Sequence, residues 1–317
     1  MFVGCGLRLI QSKYLCDLNF NCAITGIRKL CYQAPPTKEK LSHKIGFIGD
    51  GNMAKAICNS MVKKGVVQYS QIYVSSPYKK NLHVWETWKT NVSLDNGDVA
   101  EKAEIIFIAV KPHMLQEVMD LLITKRKDQI KNKLFVSVLA GVTISSLEKF
   151  ISNFEKCRVI RVMPNTPMTV GEGCTVYTPG QNVTEDDISN VITILEKAGM
   201  CRRVPEYMIN AVTALISSGP AFAYLIIEAL SDGAVKMGVY RDISTEMAAQ
   251  TVLGAAKMVL KSQKHVGDLK DDVCSAGGTT IAGIHALEKK GVRGALMDAI
   301  EAATKRADEL GQKAKDQ

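Results

Sequence analysis

Two stretches of the chain combine glycines and hydroxyls in a way that offers backbone N–H groups to an anion. The first is Gly49-Asp50-Gly51-Asn52-Met53-Ala54, a G-x-G-x-x-A pattern preceded by the apolar residues Ile45, Phe47 and Ile48. A buried strand, a tight turn and a helix start in that order make a seat for a dinucleotide pyrophosphate. Gly49 and Gly51 keep Cβ atoms out of the turn, and Ala54 lets helix and strand pack closely. The helix N-terminus presents free N–H groups and partial positive charge. Met53, Ile57, Met61 and Val62 give the next segment an apolar face at helical spacing. The second stretch is Cys274-Ser275-Ala276-Gly277-Gly278-Thr279-Thr280-Ile281. Two glycines and two threonines at a helix start suit a small carboxylate; plain capping by Ser275 or Thr279 would use the same residue types. One seat for a pyrophosphate and one for a carboxylate suggest a redox enzyme acting on a small acid.

The elements that must position these seats change character at Pro205. Before it, short strands alternate with helices. Residues 72–74 form a strand ending at Ser75-Ser76-Pro77-Tyr78-Lys79-Lys80, where an NAD-binding fold would place an acid for the ribose hydroxyls. No Asp or Glu occurs between Gly51 and Glu86, and hydroxyls and lysines suit a 2′-phosphate, so NADPH is preferred and NADH is the alternative. Residues 104–110 form a continuous apolar strand ending at Lys111-Pro112-His113. Residues 134–139 form another, ending at Ala140-Gly141, and Arg158–Met163 a third, ending at Pro164-Asn165-Thr166-Pro167. Residues 175–177 and 201–204 complete the set. The pattern predicts an α/β fold with a Rossmann-type, doubly wound, mostly parallel sheet. After Pro205 the strand signals stop. Helices are expected at 208–237 (kinked at Pro220), 244–261, Thr279–Lys289 and 293–310, forming a bundle or intertwining with a second subunit. The domains are therefore an N-terminal extension over 1–43, a dinucleotide-binding domain over 44–205 and a helical domain over 206–317. The longest uncharged run, 211–227, is interrupted by Ser217-Ser218-Gly219-Pro220 and reads as a buried, kinked core helix rather than a membrane span.

Composition narrows the classes. The 317 residues are 46% hydrophobic and 23% charged, enough for sizeable cores. The net charge is +8, with six Lys/Arg against two Asp/Glu in residues 1–43; no aromatic-interleaved basic stripe points to nucleic acid. Nine cysteines without a C-x-x-C pair read as reduced thiols, and five histidines without ligand spacing give no metal site. The basic, acid-poor residues 1–43 end in a linker-like stretch over 33–37. They read as a mitochondrial transit peptide or as an extension without function, so the expected compartment is cytoplasmic, or mitochondrial if they direct import.

The run Cys274–Ile281, with the upstream Gly267-Asp268-Leu269-Lys270-Asp271, resembles the signature of the pyrroline-5-carboxylate reductase family. So do Ile45-Gly46-Phe47-Ile48-Gly49-x-Gly51-Asn52-Met53, Ala109-Val110-Lys111-Pro112, Met163-Pro164-Asn165-Thr166-Pro167 and Ser218-Gly219-Pro220-Ala221. The resemblance spans residues 44–310. It implies reduction of L-1-pyrroline-5-carboxylate to L-proline with NADPH or NADH, the last step of proline biosynthesis. It implies dinucleotide contacts from Ile48, Gly49, Asp50, Gly51, Asn52, Met53, Ser76, Asn96, Ala109, Val110, Lys111, Pro112, Ala140 and Gly141. Substrate contacts would come from Glu206, Ser275, Gly278, Thr279 and Thr280. It further implies a homodimer interlocked through the helical domain, assembling as far as a decamer, with each site shared between two subunits and no nucleic acid or membrane involved. The Thr280 hydroxyl is the candidate hydrogen-bond donor to the substrate ring nitrogen, with water as the rival proton source. His285 is expected to be packed or solvent-facing. Two other classes share the architecture. A hydroxyacid dehydrogenase would need a helical Lys as acid/base, for which Lys236 is the nearest candidate, and an NADPH-binding sensor would not need the second seat.

Overall fold

The computed structural model describes residues 34–313. The transit-peptide reading and Cys5, Cys16, Cys22 and Cys31 fall outside the described residues. Eight strands form one sheet: β1 (Ile45–Ile48), β2 (Ile72–Ser75), β3 (Asn91–Ser93), β4 (Ile105–Ile108), β5 (Leu134–Ser137), β6 (Arg158–Met163), β7 (Gly173–Pro179) and β8 (Gly199–Arg203). Their order is β3-β2-β1-β4-β5-β6-β7-β8. The first six are parallel, in the order of a doubly wound dinucleotide fold. β7 then runs antiparallel to β6, with β8 parallel to β7.

β1, β4 and β5 are buried throughout because helices cover both faces of the sheet. One face builds a core around Phe47, Trp85, Phe107 and Tyr177, and Phe47 stacks on Phe107 with centroids 5.0 Å apart. The other face packs Ile48, Ile106, Phe135 and Phe154. Edge strand β3 was not anticipated: three residues, two of them polar, carry no periodic signal.

Residues 34–43, expected to belong to an appendage, lie on the body as a strap. The Lys38 N–H donates to Thr193 Oγ1 at 2.8 Å, and its ammonium reaches Asp186 and Asn190. Ser189 Oγ donates to the Pro36 carbonyl at 2.6 Å. Leu41 is buried, and its N–H donates to the Val66 carbonyl at 2.8 Å. The strap explains why the helix Glu185–Leu195 is buried from Asp187 onward with polar residues on its outer side.

Beyond Pro205, a single winding path runs through a 3-10 turn (Glu206–Met208), an α-helix (Ile209–Thr213), a π-helical segment (Ala214–Ser218) and a long α-helix (Gly219–Lys236). Helices Arg241–Lys261, Val266–Val273, Thr279–Lys289 and Val292–Lys313 follow. Val266–Val273 was missed because it is only eight residues long, although Val266, Leu269 and Val273 share one face. The expectation of a buried core helix over 211–227 is corrected. Glu206–Lys236 is long and apolar enough to cross a membrane by length and composition, yet only 17% of its most apolar window is buried. Helix Arg241–Lys261 packs along it, and Tyr224, Leu225 and Leu230 on the long helix stay exposed.

The turn after β1 depends on Gly49. Its φ is +106°, and a Cβ there would sit 2.6 Å from the Ala109 carbonyl oxygen, where the Ala109 N–H donates to the Ile48 carbonyl at 2.8 Å. Backbone strain and a backbone clash act together, so Gly49→Ala is expected to destabilise the protein by about 3 kcal/mol. The check is a lower urea midpoint at unchanged slope; an unchanged midpoint would refute this account of the turn.

Candidate functional site

A cleft of about 380 Å3 opens at the carboxyl ends of β1, β2 and β4, lined by Gly49, Ser75, Pro77, Leu94, Asn96, Val110 and Met114 among others. Open α/β sheets bind ligands at this edge. On one side of the cleft, Ser75 Oγ donates to Asn96 Oδ1 at 2.8 Å and fixes that amide. Asp95 caps the helix Asn96–Lys102 by accepting the Gly97 N–H at 2.8 Å. That bond, followed by Arg126, holds the Asp95 carboxyl below the usual carboxylate range. Arg126 reaches Asp95, Asp98 and Glu101 at 3.0, 3.2 and 3.5 Å and ties this helix to Leu115–Arg126. Its charge is therefore spent inside the wall.

The helix Asn52–Lys63 begins at Gly51 with no side-chain cap and no acid in its first turn. Gly51 has an ordinary φ of −67°, and a Cβ there would meet nothing within 4 Å. Nothing in the chain itself requires glycine at 51; the open space lies where a phosphate would approach the N–H groups, so the residues present fit a dinucleotide. Trp85, fully buried, donates through Nε1 to the Asp50 carbonyl at 3.4 Å and supports the turn from below.

The other expected cofactor residues gather at the same end. Ile48 lies at the buried end of β1, while Asp50, Asn52 and Met53 rim the turn. Ala109, Val110, Lys111 and Pro112 follow β4, Ala140 and Gly141 follow β5, and Ser76 follows β2. The Ser76 hydroxyl accepts the Tyr78 N–H at 3.3 Å. Lys79 and Lys80 are exposed at the start of the helix Lys79–Thr87, which also lacks a side-chain cap and a first-turn acid. The Ser75 hydroxyl, expected with Ser76 to suit a 2′-phosphate, is buried and given to Asn96 instead; sequence reasoning missed Leu94 and Met114, which have no motif, and Trp85, whose role needs the fold.

The second seat is built as expected but stands apart. Gly277 has φ +66°, the Gly278 N–H donates to the Ser275 carbonyl at 3.0 Å, and a Cβ on Gly278 would collide with Ser275 Oγ. The helix Thr279–Lys289 then starts with no side-chain cap, so plain capping by Ser275 or Thr279 is not what these residues do. Ser275 and Thr279 are exposed and Thr280 is half-buried. This helix packs on Val292–Lys313, and the lining of the cleft falls entirely within residues 49–126.

Glu206, expected beside the substrate, is engaged elsewhere in the chain. Its Oε1 accepts the Ile144 N–H at 2.6 Å and pairs with Arg161 at 3.0 Å. Burial pulls the Arg161 guanidinium below its ordinary value, opposed by that carboxylate. His285 is exposed. Lys236 is exposed at the end of its helix, with no acid partner among the described residues, and is not among the residues that line the cleft. Among the described residues no group of three or more His, Cys, Asp or Glu is arranged to hold a metal ion.

A side chain at 51 would fill the space over the free N–H groups without disturbing the fold. Gly51→Val is expected to lower the denaturation midpoint only slightly, as valine caps a helix less well than glycine, and to weaken dinucleotide binding about 100-fold or more, as measured by fluorescence titration.

Comparison with known proteins agrees with this geometry. Residues 206–310 match the family described as pyrroline-5-carboxylate reductase dimerisation, and residues 44–141 match NADP oxidoreductase coenzyme F420-dependent. Pyrroline-5-carboxylate reductase of Arabidopsis thaliana is 42% identical over 273 residues, covering 86% of this chain and 96% of that protein. The Methanosarcina acetivorans enzyme of the same name is also 42% identical, covering 86% and 99%. The crystal structure of Plasmodium falciparum pyrroline carboxylate reductase with NADP bound superposes with a TM-score of 0.76 at 32% identity, covering 86% of this chain and 99% of that one. The chain, a dinucleotide domain followed by a helical dimerisation domain, belongs to the pyrroline-5-carboxylate reductase family.

Proposed function

We infer that this chain reduces L-1-pyrroline-5-carboxylate to L-proline, the last step of proline biosynthesis, at a site made by two subunits. The observation that carries the reading is the pair of uncapped, glycine-flanked helix starts at Gly51 and Gly278. One suits a pyrophosphate and the other a carboxylate, and within one chain they face different surroundings. The helical domain leaves large side chains bare, with Tyr224, Leu225, Met247 and Leu260 each more than 60% exposed. Covering such a side chain contributes about 1.5–3 kcal/mol. A partner subunit that covers them would bring its Ser275–Thr280 turn to this chain's cleft. Further association of dimers, as far as a decamer, is part of the same reading.

When bound, the reduced nicotinamide supplies a hydride to the C=N carbon of the ring. The chain's own work is holding and orienting. The first-turn N–H groups beyond Gly51 hold the pyrophosphate. Those of Thr279, Thr280 and Ile281 hold the substrate carboxylate and so fix which ring face meets the donor. The Thr280 hydroxyl donates to the ring nitrogen, where the C=N bond must gain a proton as it is reduced. NADPH is preferred over NADH, because Lys79, Lys80 and Lys111 have no acid partner among the described residues while Arg126 is neutralised by three.

Oxidation of NADPH on adding pyrroline-5-carboxylate, with hydroxyacids inert, tests the reaction. Thr280→Ala is expected to lower kcat about 100-fold; wild-type turnover would remove its role. Mixing inactive Gly51→Val chains with inactive Thr280→Ala chains should restore about a quarter of the wild-type sites, because half the dimers then carry one intact site. No recovery would place both seats of a site on one subunit. Reversing Lys79 and Lys80 to Glu should lower kcat/KM with NADPH at least about tenfold and leave NADH within about twofold, which the two cofactors' saturation curves report.

A further inference from the structure

The segment joining the two domains contains a substitution of one hydrogen-bond donor for another. An α-helix pairs each carbonyl with the N–H four residues on. For Ile216 that residue is Pro220, which has no N–H. The winding loosens there into the π-helical segment Ala214–Ser218, a form that recurs at functional sites. The Ile216 carbonyl is served from the other domain: Asn165 Nδ2 donates to it at 2.9 Å. The same amide's Oδ1 accepts the Cys174 N–H of β7 at 2.8 Å. Asn165 is 6% exposed, so both ends of the amide are spent and neither faces the cleft's solvent. Alongside it, Ser217 Oγ donates to the Pro164 carbonyl at 3.4 Å, and Met163, Val176, Ile209 and Ile216 form a small apolar core between sheet and helix.

We propose that Asn165 is a positioning residue for hydride transfer, setting the direction in which the helical domain leaves the sheet by standing in for the donor that Pro220 lacks. The proposal rests on the reading that the cleft of one subunit is completed by the Ser275–Thr280 turn of another. In that arrangement the only covalent path between a subunit's cleft and the seat that it lends to its partner runs through 205–220. A small change of angle there moves the carboxylate seat by more than an ångström at the far end of the domain, and a misplacement of that size costs about 100-fold in rate. Neither Asn165 nor Pro220 touches cofactor or substrate in this account, so binding of either alone is left intact.

The test is a double-mutant cycle on the purified full chain. Asn165→Ala is expected to keep dimerisation and NADPH affinity within about twofold, while kcat falls roughly 10- to 100-fold and the isotope effect with 4-deuterated NADPH rises as transfer becomes limiting. Pro220→Ala restores a backbone donor to Ile216, so it should straighten the helix, lower kcat by itself and leave NADPH affinity unchanged. In that background Asn165→Ala should cost less than about twofold, a strong coupling between residues with no shared ligand. Equal losses from Asn165→Ala in both backgrounds, or a kcat that falls only with the fraction of folded dimer, would overturn the proposal. If Asn165→Ala does not fold, Pro220→Ala decides alone, and wild-type kcat there overturns it. Mixed dimers that recover activity from Gly51→Val and Thr280→Ala chains keep the shared-site reading whatever Asn165 does.

Discussion

A helix start capped by glycine leaves three backbone donors facing outward with no side chain over them, and two helices of this chain begin that way. Ser, Asp or Asn at the N-cap would stabilise each helix by roughly a few tenths of a kcal/mol over glycine. Gly51 and Gly278 forgo that at the helices Asn52–Lys63 and Thr279–Lys289, whereas Asp95, Thr143 and Thr184 cap other helices of the same chain. The contrast between Gly49 and Gly51 separates two reasons for glycine. At 49 the backbone lies at positive φ against Ala109, and folding alone demands the residue. At 51 the backbone is ordinary and the surrounding space is empty, so the demand comes from what must approach.

Burial sets the second constraint. The sheet and its helices close two full cores, while the long helix Gly219–Lys236 has Ser231 as its one buried residue among those described. Ser231 is held there by a hydroxyl cluster in which its Oγ meets Ser244 at 2.7 Å and Thr245 at 3.0 Å. That cluster locks Gly219–Lys236 to Arg241–Lys261 as a hairpin before any partner arrives, since buried polar groups that satisfy one another resist separation. A dimerisation domain offered as preformed hairpins loses less conformational freedom on association than one that must fold on contact.

Most of the first domain was legible because buried parallel strands are continuous apolar runs: β1, β4, β5 and β6 announce themselves, and Arg158–Met163 and Thr279–Lys289 coincide with their expected bounds. Elements whose signal is tertiary were not legible. β3 is a short polar edge, Val266–Val273 is a two-turn helix with three apolar residues, and the strap at 34–43 is recognisable only once Thr193 and Ser189 are seen to receive it. The long helix was assigned correctly in extent and wrongly in burial, since hydrophobicity says that a surface will be covered and not by which chain. At the site, motif residues were found and the supporting ones were not. Ser75 and Trp85 act by holding a neighbour's amide or carbonyl, and a sequence carries no mark for that.

The interface between the domains is held by buried polar contacts. Arg161 lies buried in β6 with its guanidinium on Glu206, and Glu206 also takes the Ile144 N–H. Removing the carboxylate would strand a charge in the interior, a larger penalty than the pair's own net gain. The pair therefore fixes the point where the helical domain begins more firmly than it stabilises the fold. Asn210 adds a contact to Asp308 at 2.7 Å and ties the last helix to the first turn of the domain. With the start of the helical domain held against the sheet and its last helix tied to that start, the geometry of the seat that it carries is inherited from the rigid part of the molecule. That inheritance is what chemistry driven by proximity and orientation requires.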